Sequence, residues 1–278
     1  MTRTRRQIEK NLKQIDIVTE LIDARIPVSS RNPSLRSIIN NKPKIILLNK
    51  CDMADPALTK EWLEFFKSRK EKALAVDCKS GKGINQFLPA CKEVLSEQIE
   101  AWNRKGMVGR SIRTMIVGVP NVGKSSFINR MCKGLAGKAD VQDRPGVTRE
   151  NRWFTIGKGF ELLDTPGILW PKFDDKLVGE HLAFTGAVRD EVVDIEDLAS
   201  RLLEELLREY KPEVCERYKL ADEEIAGKTG YEILSVIARK RGMLISGGEV
   251  NTERAAFTVL DEFRAAKIGK ITLEKVKK

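Results

Sequence analysis

A glycine-rich octapeptide at residues 118–125 (GVPNVGKS) has the residue types and spacing of a loop that binds phosphate groups. Residues 111–117 before it predict a strand, and residues 126–132 after it predict a helix. The glycines let backbone amides curl around a phosphate, and the helix points its positive end at the same place. Lys124 can reach the β and γ phosphates, and the Ser125 hydroxyl can bind Mg²⁺. The nucleotide contacts expected from this loop are Asn121, Val122, Gly123, Lys124, Ser125 and Ser126.

Residues 49–52 (NKCD) carry a second motif, directly after an apolar run at 44–48 that predicts a buried parallel strand. Asn-Lys-x-Asp reads guanine in GTPases, since the carboxylate accepts from the guanine N1–H and exocyclic amine, which adenine does not offer. An open α/β sheet binds its ligand at the carboxyl ends of its strands, where this motif is expected to lie. The predicted base contacts are Asn49, Lys50, Cys51 and Asp52.

A third loop, residues 77–83 (DCKSGKG), follows a predicted strand at 72–76. It resembles the Ser-Ala-Lys loop that contacts guanine, with Cys78 in the small-residue position. Asp77 departs from the usual serine. From the resemblance we expect both Asp77 and Cys78 near the base. Because of this departure, no direct contact with the base is assigned to Asp77.

The Mg²⁺ ligands are expected from two segments after the phosphate loop. Residues 134–150 are polar and Gly-rich, as is typical of a mobile switch, and include Thr148 as the candidate second protein ligand. A predicted strand at 160–163 ends in Asp164-Thr165-Pro166-Gly167. Asp164 is suited to hold Mg²⁺ through water, and the Gly167 amide to sense the γ phosphate.

The order of these motifs is unusual, because the base readers precede the phosphate loop. In common small GTPases the phosphate loop comes first. A doubly wound sheet accepts either order, since every motif still lies at the same strand edge. The sequence therefore predicts an α/β fold, a circularly permuted P-loop GTPase domain over residues 1–190 with a small all-helical domain over 191–278.

The C-terminal part shows helical periodicity at residues 195–210, 231–238 and 255–263. Residues 191–278 carry 16 basic and 18 acidic side chains, so the net charge of +10 arises in the first 190 residues. Basic clusters there suit a phosphate-backbone partner, or are ordinary solvated helix faces. The basic residues at 239–241 and from 264 onward face either RNA or solvent, and we favour RNA.

Composition limits the class of protein. Hydrophobic residues make up 41% of the chain and charged residues 32%, as in a soluble globular protein. No apolar run approaches the roughly 18 residues of a membrane span, and the basic N-terminus lacks the apolar core of a signal peptide. Five cysteines without paired spacing favour reduced thiols and a cytoplasmic location.

Taken together, these motifs resemble the YlqF/RbgA family of circularly permuted ribosome-biogenesis GTPases. The likeness covers almost the whole chain and is most specific in the first 190 residues. The segments that carry it are DARIP at 23–27, SSRNP at 29–33, NKCD at 49–52, GVPNVGKS at 118–125, PGVT at 145–148 and DTPG at 164–167.

The resemblance implies GTP hydrolysis coupled to late maturation of the large ribosomal subunit, with rRNA contacts from both domains. GTP, GDP and the large subunit are the expected partners, with no membrane and no DNA. Asn121 matches the residue that coordinates K⁺ in cation-dependent GTPases, where K⁺ replaces the charge of an arginine finger. Asn121 could equally only brace the loop.

The group that activates water is not assigned. Ile168 stands where Ras-like enzymes place the water-orienting glutamine, and an apolar side chain cannot orient water. The resemblance implies a histidine in a Phe-Pro-Gly-His segment upstream of the residue matching Met1. Either the start is misassigned or trimmed, or the enzyme works without this histidine. His181, the one histidine in the sequence, is expected to be a surface or packing residue.

Two other functions compete with a ribosome-linked GTPase. A metabolic P-loop enzyme such as a small-molecule kinase is disfavoured by Asn49 and Asp52. A non-hydrolysing, GTP-dependent RNA-binding scaffold is consistent with Ile168 and with the absence of the upstream histidine segment from the sequence.

Overall fold

A computed structural model describes residues 8–33, 38–39, 42–135, 152–156, 159–165 and 175–276. The chain divides into two compact units. The sheet unit comprises Met1–Asp52, Pro56–Phe173 and Glu274–Lys278, and the helical unit comprises Met53–Asp55 and Asp174–Leu273. Thr148, Gly167 and Ile168 lie outside the described residues.

The sheet unit is built on a six-stranded sheet of spatial order β3-β2-β1-β4-β6-β5. The edge strand β5 runs antiparallel to β6, and every other neighbouring pair is parallel. Consequently β1, β2, β3, β4 and β6 all end at the same edge of the sheet. The strands are β1 Ile17–Asp23, β2 Lys44–Asn49, β3 Lys72–Ala75, β4 Ile112–Val117, β5 Arg152–Ile156 and β6 Phe160–Asp164.

Helices cover this sheet because its central strands are apolar on both faces. Every residue of β1 is buried, as expected for a strand with neighbours on either side and layers above and below. On α1, Trp62 and Phe66 are buried, and Phe87 of α2 meets Phe127 of α4 edge to face, with ring centroids 5.0 Å apart. These helices are α1 Pro56–Ser68, α2 Phe87–Val94, α3 Ser96–Arg104 and α4 Lys124–Leu135.

The sequence predicts a single helix over residues 84–102, and this prediction is wrong in detail. A 3₁₀ turn at Ile84–Gln86 leads into α2, and Leu95 then separates α2 from α3. Leu95 has φ −101° and ψ 11°, which is outside the helical region, and its side chain is fully buried. Burial of this leucine accompanies the interruption between the two helices.

The helical unit packs the apolar stripes of α6, α9 and α10 against one another. Leu202 and Leu206 of α6, Leu234 of α9 and Leu260 of α10 have no exposed surface. Asp194 caps α6, and Thr229 with Glu232 forms a capping box on α9. The helices are α5 Lys176–Phe184, α6 Ile195–Glu209, α7 Lys211–Tyr218, α8 Asp222–Ile225, α9 Gly230–Lys240 and α10 Thr252–Arg264.

Helix α5 belongs to the helical unit, because Ala183 and Phe184 join its hydrophobic core. The helical unit therefore begins before the predicted division at residue 190. His181 of α5 is buried, and its Nε2 lies 3.1 Å from Glu205 Oε1. It is thus a packing residue within this unit.

Several of the basic residues considered for RNA binding form ion pairs within the helical unit. Arg264 makes two hydrogen bonds with Asp190, at 2.8 and 2.7 Å, and Arg241 lies 3.0 Å from Glu262. Lys240 pairs with Glu224. Each of these three basic side chains therefore has an acidic partner in the same unit. The exposed basic side chains in the described part of this unit include Arg239, Lys267 and Lys270.

Candidate nucleotide-binding site

The three predicted nucleotide loops meet at the carboxyl edge of the sheet, and Asn49 joins them. Asn49 ends β2 and is buried. Its Nδ2 donates to the Val122 carbonyl at 2.7 Å, and its Oδ1 accepts from the Cys78 amide at 3.0 Å. One side chain therefore links the guanine-reading motif, the phosphate loop and the 77–83 loop.

Two glycines of the phosphate loop are required by this close packing. A Cβ on Gly123 would lie 2.3 Å from Asn49 Nδ2, and Gly123 has φ +105°. A Cβ on Gly118 would lie 2.5 Å from the Leu21 carbonyl oxygen. Both positions exclude a side chain, so the loop can approach the neighbouring strand and keep its amides turned toward a ligand.

Lys124 begins α4, and its ammonium group is held inside the phosphate loop. Nζ donates to the Gly118 carbonyl at 3.1 Å and to the Val119 carbonyl at 2.9 Å. Burial lowers the pKa of Lys124 to about 8, and the nearby Asp164 carboxylate offsets part of that effect. When a polyphosphate binds, its charged oxygens would replace these two neutral carbonyl oxygens as the partners of Lys124 Nζ.

Because free Lys124 loses its proton near pH 8, nucleotide affinity is expected to depend on pH. The phosphates bind the protonated lysine, so above pH 8 binding must take up a proton. GDP affinity should fall as pH rises from 7.5 to 9, with a slope approaching tenfold per pH unit. Calorimetric titration at several pH values measures this slope.

The control for the pH experiment is Lys124→Ala, measured over the same range. Titration of the guanine ring persists in that variant, whereas the lysine contribution disappears. Equal slopes in the wild type and the variant would show that Lys124 does not carry the pH dependence.

Two of the three Mg²⁺ candidates, Ser125 and Asp164, lie among the described residues. Ser125 is exposed in the first turn of α4, and Asp164 ends β6 beside β4. Among the described residues, no group of three or more His, Cys, Asp or Glu side chains could hold a metal unaided. In nucleotide sites Mg²⁺ takes most of its ligands from phosphates and water.

The guanine-reading loop contains an unsatisfied polar atom. Asp52 Oδ1 is buried and has no hydrogen-bond partner in the described part of the chain. A buried carboxylate oxygen without a donor is costly, and guanine N1–H or its amine would supply one. Lys50 stands two residues before it with φ 62°, so the loop has a tightly turned backbone.

Asp77 and Cys78 lie in the 77–83 loop as predicted, but their side chains serve the loop itself. Asp77 Oδ1 accepts from the Lys79 amide at 2.8 Å. Burial alone would raise the pKa of Asp77, yet hydrogen bonds from Ser80 and the Lys79 amide hold it below the usual value. Burial raises the pKa of the Cys78 thiol to about 12, so Cys78 is a neutral packing group.

No role for Asp23 or Arg25 follows from the motifs, yet in the structure Asp23 pairs with both Arg25 and Lys50. Asp23 Oδ2 lies 2.9 Å from Lys50 Nζ. The sequence signal that could have indicated this contact is an aspartate at the end of β1, the strand beside β2, followed two positions later by a basic residue.

Comparisons with known proteins identify the family of the chain. Residues 113–226 match the MMR_HSR1 family, described as a 50S ribosome-binding GTPase. The chain is 46% identical over 277 residues to Ribosome biogenesis GTPase A of Bacillus licheniformis, covering 99% of this chain and 95% of that protein. Its counterpart in Thermotoga maritima is 30% identical over 273 residues, covering 98% of this chain and 91% of that protein.

Solved structures give a matching result. A GDP-bound structure of TM YlqF superposes with a TM-score of 0.71 at 28% identity, covering 97% of this chain and 98% of the other. GNP-bound YlqF from T. maritima superposes with a TM-score of 0.69 at 28% identity, with 98% of each chain covered. No helix among the described residues is long and apolar enough to cross a membrane.

Proposed function

Because the chain belongs to the YlqF/RbgA family of ribosome biogenesis GTPases, we propose that it hydrolyses GTP as a switch in late assembly of the large ribosomal subunit. The observation that carries this proposal is the bridge made by Asn49 between the phosphate loop and both base-reading loops. Guanine is read by Asp52, and the phosphates are held by the loop amides and Lys124.

The domain is proposed to be a circular permutation of the common GTPase sheet. Support comes from strand order, since β2 and β3 deliver the base readers and precede β4, which delivers the phosphate loop. The parallel pairing of β1 with β4 brings the two halves together. All nucleotide loops thereby share one edge despite the altered connections.

Mg²⁺ bound with GTP would neutralise charge that develops on the transferred phosphoryl group. The residues proposed to hold it are Ser125 and Asp164, together with Thr148. Lys124 would hold the β and γ phosphates and keep its proton while bound. The Gly167 amide is proposed to sense the γ phosphate.

K⁺ is proposed as a second cation, bound near Asn121. This residue is exposed and has φ 56°, so it stands at the turn of the phosphate loop.

GTP turnover should be several-fold higher in KCl than in NaCl, and Asn121→Ala should remove the difference between the two salts. Asn129→Ala, which alters an exposed asparagine on α4, is the matched control. Equal rates in both salts for the wild type would remove K⁺ from the mechanism.

The ribosomal partner is proposed to be the large subunit, contacted through rRNA. Exposed basic residues of the described chain support it: Lys10, Lys13, Arg104 and Lys105 in the sheet unit, and Arg239, Lys267 and Lys270 in the helical unit. Such side chains neutralise backbone phosphates and make binding salt-dependent. The remaining basic residues at 3–6 lie outside the described residues.

Sedimentation with purified subunits tests this partner. The protein with a non-hydrolysable GTP analogue should pellet with large subunits and not with small ones, and GDP should weaken the association at least tenfold. Association that is equal for both subunits, or equal with both nucleotides, contradicts the proposal. Hydrogen exchange over 175–276 that differs between the two nucleotides would show the switch reaching the helical unit.

A further inference from the structure

A buried carboxylate at the end of β1 holds the lysine of the guanine-reading loop. Asp23 is 2% exposed and stands opposite Asn49 in the β1–β2 register. Its Oδ2 accepts from Lys50 Nζ at 2.9 Å and from Arg25 Nη2 at 2.8 Å. Its Oδ1 accepts from the Arg25 amide at 3.0 Å and from Arg25 Nε at 2.9 Å.

Arg25 is equally buried, at 1% exposure, so this cluster is not a surface ion pair. Although burial opposes it, the carboxylates of Asp23 and Asp52 raise the pKa of Arg25 above its usual value. Arg25 is therefore attracted to both the carboxylate that holds Lys50 and the carboxylate proposed to read guanine. The cluster joins the base-reading loop through Lys50.

The segment that carries Arg25 is itself fixed. The Asp23 amide donates to Ser30 Oγ at 3.0 Å, and Ser30 Oγ donates to the Ile26 carbonyl at 2.7 Å. The Ala24 amide donates to the Asn49 carbonyl at 2.9 Å, which continues the sheet pairing into the loop. Because these bonds fix the backbone around Asp23, its carboxylate cannot shift easily when the Lys50 side chain moves.

We infer that Asp23 and Arg25 are positioning residues that set Lys50 in place before the nucleotide arrives. This inference rests on the proposed use of residues 49–52 to read guanine. A lysine normally loses considerable rotamer freedom when it is ordered, and Lys50 also occupies an unfavourable left-handed backbone conformation. Meeting both costs in the nucleotide-free protein leaves more of the contact energy for the base.

The test is a double-mutant cycle on GDP affinity, with Asp23→Asn, Lys50→Gln and the double variant. Each single variant is expected to weaken GDP binding about tenfold, which corresponds to about 1.4 kcal/mol. Because both substitutions remove the same contact, the double variant should bind GDP no more weakly than either single variant. Losses that multiply to about a hundredfold would overturn the inference.

Glu20→Gln is the matched control for general loss of stability. Glu20 lies on the same strand, is 3% exposed, and pairs with Arg31 at 2.7 Å. This variant should unfold at lower denaturant concentration while keeping wild-type GDP affinity. If Asp23→Asn behaves in the same way, Asp23 is only structural and the inference is wrong.

A measurement on the wild type guards against a variant that fails to fold. With ¹⁵N-labelled lysine, an ordered Lys50 ammonium should give a slowly exchanging signal in the nucleotide-free protein that is missing from Lys50→Gln. Absence of this signal overturns the inference. If the wild type prefers GDP over ADP but the losses of GDP affinity in the cycle are additive, only this inference is wrong. If the wild type shows no preference for GDP, the proposed guanine site is wrong as well.

Discussion

Asp52→Asn is expected to weaken GDP binding by about 10²–10⁴-fold and to create binding of xanthosine diphosphate. Two hydrogen bonds from guanine to a charged carboxylate are worth roughly 3–6 kcal/mol together. Asparagine can accept with one atom only, and its amide NH₂ then faces the exocyclic amine of guanine, which is also a donor. Xanthine carries an oxygen at the position of the guanine amine, which matches that donor.

Competition binding with GDP, ADP and xanthosine diphosphate measures this change. Asp16→Asn makes the same chemical change one residue before β1, at the opposite end of that strand from the site, and should leave the preference for GDP intact. If Asp52→Asn keeps its GDP affinity, or loses it without gaining xanthosine diphosphate, then Asp52 does not read the base. Its unsatisfied Oδ1 would need another explanation.

Lys124→Ala is expected to lower GTP turnover by at least a thousandfold. The ammonium group supplies fixed positive charge where the phosphoryl group develops negative charge, and a single such donor is worth roughly 10²–10³ in rate. Loss of affinity for the triphosphate adds to that effect. The two carbonyls that Lys124 now satisfies, on Gly118 and Val119, would also lose their donor.

Single-turnover hydrolysis at saturating GTP separates the rate effect from the binding effect. Lys60→Ala, which removes an exposed lysine on α1, is the control for loss of one positive charge. A Lys124→Ala rate within tenfold of the wild type would show that the phosphate loop does not carry catalysis.

The sheet and its helices could be predicted because the relevant signals are local. The runs at 44–48 and 112–117 are apolar and β-branched, and both form strands that pair within the sheet. Helix α6 was predicted from its apolar spacing and is confirmed over Ile195–Glu209. The break at Leu95 was missed, since no Gly or Pro marks it and tertiary packing determines it.

The site was only partly predictable. Motif spacing indicates which loops approach a nucleotide, and Asn49 does join those loops. The contact between Asp23 and Lys50 spans 27 positions in the chain and depends on strand register, which a motif does not encode. The ion pairs of Arg241 and Arg264 are also long-range, so charge counting alone does not predict them.

GTP turnover with and without purified large ribosomal subunits tests the central claim most directly. The proposed switch predicts slow hydrolysis by the protein alone and a rate at least tenfold higher with large subunits, with no change on adding small subunits. A rate near zero that large subunits leave unchanged would contradict it. The chain as given would then act as a GTP-dependent scaffold, in line with Ile168 at the position of the water-orienting glutamine.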